Sequence, residues 1–134
     1  MRINFALVVL ILSMEALAIE GGSDKYWVYA ELVNALESGG ATYLEKLGTT
    51  TTKCGFGPGE EGVGCIKRTL ESNPVCKEEL LLAFKQGCTM LEANKCISPP
   101  QAGNNDILYP GPRIVIAFTD DKSVVVSSLA CSGD

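Results

Sequence analysis

The side chains best able to do chemistry in this chain are its six cysteines, Cys54, Cys65, Cys76, Cys88, Cys96 and Cys131. As thiolates they are nucleophiles and metal ligands, whereas joined in disulfides they are neither. The other reactive groups are carboxylates, which occur in adjacent pairs at Glu60-Glu61, Glu78-Glu79 and Asp120-Asp121. Neighbouring side chains diverge on both helix and strand, so adjacency in sequence does not set an acid and a base facing each other across a cleft. Histidine is absent. That removes Ser-His-Asp and Cys-His nucleophile systems, the imidazole general base and the imidazole metal ligand together. The expectation is a protein that is not an enzyme, with no catalytic residue, no cofactor and no metal site.

Weaker motifs point the same way. Asn104-Asn105-Asp106 offers amide oxygens to a cation but only one charge, without the spaced acids and closing Glu of a calcium loop. The glycine-rich stretch from Gly55 to Gly64 carries Glu60-Glu61 and lacks both the lysine and the following helix of a phosphate site, so it reads as a turn inside a cysteine-bounded loop. Asn94-Lys95-Cys96 has the rare Asn-x-Cys form and no Asn-x-Ser/Thr sequon occurs, so no carbohydrate is expected.

The start of the chain decides which state of the cysteines to expect. Arg2 precedes an apolar run from Phe5 to Leu12, and Ala16-Leu17-Ala18 supplies a small-residue cleavage site. Residues 1–18 read as a secretory signal peptide, which makes Ile19 the mature N-terminus and 19–134 a single cysteine-rich domain. The run is too short to anchor in a bilayer, and no later stretch is long enough, so no membrane partner is expected. An exported short chain with six spread cysteines implies a disulfide framework in an oxidising, extracellular setting. Its connectivity stays open. Cleavage removes one charge of each sign and leaves the net charge at minus five, which repels nucleic acid and anionic surfaces.

The elements that must hold this framework follow from periodicity and punctuation. Ser23 can cap a helix from Asp24 to Ser38 whose apolar face is Tyr26, Tyr29, Ala30, Val33 and Leu36, broadened by Leu32. Gly39-Gly40 ends it, and Ala41 to Leu47 adds a turn or two. The β-branched run from Thr49 to Cys54 predicts a strand, as does Ile66 to Glu71. Asn73-Pro74 announces a helix reaching at least Gln86, with Cys76, Leu80 and Ala83 on one stripe and Leu81, Phe84 and Cys88 on another. Gly87 marks a break, and Thr89 to Lys95 reads as a further helical piece. On that continuous helix Cys76 and Cys88 stand too far apart to pair.

A Pro/Gly-rich loop from Pro99 to Pro112 then leads into two strand-like runs, Arg113 to Phe118 and Ser123 to Leu129, which form a hairpin. Both faces of the first are apolar, which places it centrally in its sheet. The fold class expected is α+β, a small disulfide-stabilised secreted domain with helices packed on an antiparallel sheet. The Gln-x-Val-x-Gly and Pro-Trp loops of cystatins are absent, and odorant-binding, lipocalin, Kunitz and elicitin patterns fail on spacing or length.

What remains is a binding role. Trp27 and Tyr109 are the candidate partner contacts, Trp27 because it departs from the apolar spacing of the first helix. The function expected is that of a secreted non-catalytic effector that binds or inhibits an extracellular protein, as in saliva, venom, seminal fluid or parasite secretions. The alternative is an extracellular carrier of a small hydrophobic ligand, since the residues that fill a core and those that line a cavity are the same kinds.

Overall fold

A computed structural model describes residues 23–55, 60–104 and 108–132. The signal-peptide reading of residues 1–18 and most of Asn104-Asn105-Asp106 lie outside the described residues. The chain runs as helix α1 (Ser23–Glu45), strand β1 (Lys53–Cys54), helices α2 (Cys65–Ser72) and α3 (Pro74–Lys85), strands β2 (Thr89–Glu92) and β3 (Lys95–Ser98), a 3-10 turn (Pro100–Gly103), and strands β4 (Arg113–Phe118) and β5 (Val124–Ala130). The five strands form one sheet in the order β1-β5-β4-β3-β2, with the three helices packed on it. This is the expected α+β class. The sheet is mixed, however: β1 lies parallel to β5, and the other three pairings are antiparallel.

Gly40 bends α1 with φ 59° and ψ −145°, a conformation that costs glycine least, and the helix resumes beyond it to bury Leu44 completely. The regular helix is thus interrupted where an end was expected, and the further turns expected from Ala41 follow it. Its buried stripe is Tyr29, Leu32 and Leu36, one step round from the expected face, so that Tyr26, Ala30 and Val33 are only half-buried along its flank. Asn73 caps α3 as expected, its side chain accepting a hydrogen bond from the Cys76 backbone nitrogen at 3.1 Å, with Pro74 in the first turn. Gly87, at φ 101°, turns the chain out of that helix.

Three expectations need correction. Ile66 to Glu71 is helical: Ile66 and Leu70, one turn apart, are buried on the same side while Lys67 and Glu71 face solvent as an i, i+4 pair. A helix therefore does follow the glycine-rich loop, although the loop still lacks a lysine. Thr89 to Lys95 is part of a hairpin, β2 with β3, rather than helix, because β3 finds a partner in β4 along its whole length. Thr49 to Thr52 is a turn and only Lys53–Cys54 is strand, because hydroxyls satisfy the backbone locally: the Thr49 nitrogen donates to Thr52 Oγ1 at 2.7 Å. Thr52, fully buried, donates in turn to the Val126 carbonyl at 2.6 Å.

The terminal hairpin β4–β5 forms with β4 central, as its apolar faces required. Ile114, Ile116 and Phe118 point to the helices and meet Leu32, Ile66, Leu80 and Phe84 in one core. Each such side chain contributes roughly 1.5–3 kcal/mol by leaving water.

Candidate functional site

All six cysteines are paired, as Cys54–Cys65, Cys76–Cys131 and Cys88–Cys96. The first closes the glycine-rich loop, the second ties the start of α3 to the end of β5, and the third spans the turn from α3 into the β2–β3 hairpin. As disulfides they supply scaffold, not nucleophiles. Five of the six are at most 3% exposed, and Cys88 alone is half-buried.

The paired carboxylates do not face one another. Glu60, Glu61 and Glu78 are exposed. Asp121 is drawn into the β4–β5 turn, where it accepts hydrogen bonds from the hydroxyls of Thr119 and Ser123. Those bonds, Thr119 first, hold its carboxyl below the usual range, a turn-building role. Among the described residues no group of three or more acidic or cysteine side chains is gathered as a metal site would need.

The most buried polar cluster joins α1, α3 and β3. Tyr29 Oη donates to the Phe84 carbonyl at 2.6 Å and lies 3.0 Å from Ser98 Oγ, which donates to the Gly87 carbonyl at 2.8 Å. Burial pushes the Tyr29 phenol up to about 12, against a smaller lowering by Ser98. A phenol so placed is a structural donor that stays neutral, giving the Phe84 carbonyl at the end of α3 a second hydrogen bond beside that from the Gly87 nitrogen.

The surface is more suggestive. Between α1 and α3 lies an open groove of about 250 Å³. Val33, Leu36, Leu81 and Phe84 form its apolar lining, and Glu37, Glu78 and Lys85 its rim. Lys85 Nζ reaches Glu37 at 3.9 Å with both side chains about half exposed, a pair worth roughly 0–1 kcal/mol. Leu82 also lines this groove, 58% exposed, and Val75, seven residues back on the same helix stripe, is 65% exposed. On α1 the half-exposed positions Tyr26, Ala30 and Val33 fall three and four apart, so they form one row leading along the helix to the groove. Trp27 projects beside that row, 52% exposed, its ring edge-on to Tyr26 with centroids 5.2 Å apart.

Of the two expected contact residues neither lines the groove: Trp27 is exposed on α1 and Tyr109 lies in the loop before β4. Tyr109 is half-buried in the loop before β4, where its ring covers Gly111 closely enough that a Cβ there would lie 2.7 Å from the phenol oxygen. Leu82 and Val75 were missed, although their spacing on one stripe of the Pro74 helix, opposite Cys76 and Leu80, was a readable signal. A second hollow of about 380 Å³ lies where the start of α1 meets the two hairpin turns, with Val28 and Phe118 below and Asp24, Lys25, Asp120 and Lys122 around it. Like the groove it is open to solvent. Among the described residues, no helix is long and apolar enough to cross a membrane. No protein-family model, curated protein or solved structure matches this chain.

Proposed function

We propose that this protein is a secreted, non-catalytic module that binds, and by binding inhibits, another extracellular protein. On this reading residues 1–18 are removed during export and 19–134 act as one disulfide-held domain. The observation that carries it is the open groove between α1 and α3, whose apolar lining includes Leu82, 58% exposed, with Trp27 on α1 and Val75 on α3 also more than half exposed. Large apolar side chains held in water beside a groove cost solubility unless a partner covers them. The alternative, an interior carrier of a hydrophobic ligand, gains less support, because Leu32, Ile66, Leu80, Phe84, Ile114 and Ile116 fill the space between helices and sheet. Three disulfides fit an oxidising extracellular compartment.

The test is native mass spectrometry of the secreted protein with binding measurements against a panel of extracellular proteins. A mature mass beginning at Ile19 and six hydrogens below the reduced value is expected. A partner whose binding falls at least tenfold in Trp27→Ala and Leu82→Ser, while an unrelated Val63→Ser variant binds normally, supports the reading. A reproducible small organic adduct removed by solvent extraction supports a carrier instead.

A further inference from the structure

Resting on that reading, we infer that the partner presents a basic amphipathic segment, apolar on one side and rich in Lys or Arg along its edges, and that this segment seats in the groove between α1 and α3. The lining selects the apolar side: Val33, Leu36 and Leu81 offer a trough with no polar side chain that would need a hydrogen-bonding partner. The rim selects the charge. Of its three charged groups, Lys85 is already held by Glu37, so Glu78 is left as the net charge at the opening. Glu31 lines a separate hollow on the other side of α1, so the sign at the opening rests on Glu78. Cations on an incoming segment would meet Glu78 and compete with Lys85 for Glu37.

The same charges argue against other occupants. A second copy would bring an identical acidic rim, within a chain of net charge minus five, against this one. An anionic membrane surface is repelled for the same reason. The groove also suits a short helical segment: its wall on α1 runs from Val33 to Gly40, about 10 Å, the rise of some two helical turns.

Three synthetic 18-residue peptides test this, with Leu at helical i, i+3, i+4 spacing and Lys, Glu or Ser at all other positions. They are titrated into the oxidised, secreted protein with emission of Trp27, the sole tryptophan, and amide chemical shifts as readouts. The Lys peptide is expected to bind at least tenfold more tightly than the Glu peptide, to shift residues of α1 and α3, and to weaken several-fold at high salt. Glu78→Gln, an exposed change that leaves the fold intact, should weaken it about threefold or more, and Leu82→Ser about tenfold. Equal or tighter groove binding by the Glu or Ser peptide overturns the basic partner while leaving a binding module standing. Lys-peptide binding indifferent to both substitutions overturns the inference, since it marks general adhesion to an acidic surface. So does a dimer abolished by Leu82→Ser, which makes a second copy the occupant.

Discussion

Tyr29 and Phe84 are joined twice: the phenol hydroxyl of Tyr29 donates to the Phe84 carbonyl at 2.6 Å, and the two rings meet at a tilt with centroids 6.4 Å apart. The contact fixes α1 against the end of α3, and Ser98 joins the same cluster from β3. Three elements far apart in sequence therefore share one buried polar point.

Tyr29→Phe should keep the ring packing and remove the donor. The Phe84 carbonyl retains the Gly87 backbone nitrogen at 3.2 Å, so it is not orphaned. A loss of about 1–2 kcal/mol is expected, read from urea unfolding at neutral pH. A loss near zero would show that the cluster is replaceable by packing alone.

Alkali should act through the same residue. Its phenol is raised from 10.0 to about 12 in the folded state, so the neutral form is the one folding favours. The resulting stabilisation is complete below pH 10 and is lost as pH rises from 10 towards 12, by up to about 2–3 kcal/mol. Unfolding curves at stepped alkaline pH should show this fall in the native protein, and Tyr29→Phe should lack that part of it.

The disulfides should differ in both accessibility and worth. Cys88 is half-buried while the other five half-cystines are at most 3% exposed, so Cys88–Cys96 should be the first to open under graded reductant, detected by alkylation and peptide mapping. Cys76–Cys131 spans 55 residues and Cys88–Cys96 only 8. Chain-entropy arguments assign about 4 kcal/mol to the first and about 2.5 to the second. Replacing Cys76 and Cys131 by Ala should therefore cost more in thermal stability than replacing Cys88 and Cys96.

Gly103 packs its bare α-carbon against β2 and β3. A Cβ there would stand 2.7 Å from Thr89 Cβ and 3.1 Å from a methyl of Ile97. Gly103→Ala should lower stability by about 1–3 kcal/mol, and Gly103→Ala with Thr89→Ser should recover part of it. Additive losses in this cycle would place the strain elsewhere.

Much of the fold was legible where local rules and tertiary packing agree. Asn73-Pro74 opened a helix because cap and proline act within one turn, and Gly87 ended it for an equally local reason. Arg113 to Phe118 read as a central strand because apolar residues on both faces leave few other places for it. The failures lie where distant partners decide. Thr89 to Lys95 reads as helix, but eight residues of helix would part Cys88 and Cys96 by about 12 Å, and their Cα atoms stand 5.6 Å apart. Only the Cys88–Cys96 pairing rules that helix out. Ile66 to Glu71 read as a strand, yet Ile66 and Leu70 at i, i+4 were the stronger sign. In the candidate site, Trp27 stood out by departing from the helix pattern, whereas the groove needed α1 and α3 to be placed side by side.

The parallel pairing of β1 with β5 also sets a timetable. Lys53 and Cys54 lie opposite Ser128 and Leu129, and Thr52 bonds to Val126, so the first strand has no place in the sheet until the fifth has been made. In a chain made from its N-terminus, α1, α2 and α3 precede most of the strands they pack on. Completion is a single late event, in which β5 slots between β1 and β4 and brings Cys131 to Cys76. A chain ending before residue 124 would lack the strand that joins β1 to the rest of its sheet, whereas a nick there in the folded protein would leave that strand tethered through Cys76–Cys131.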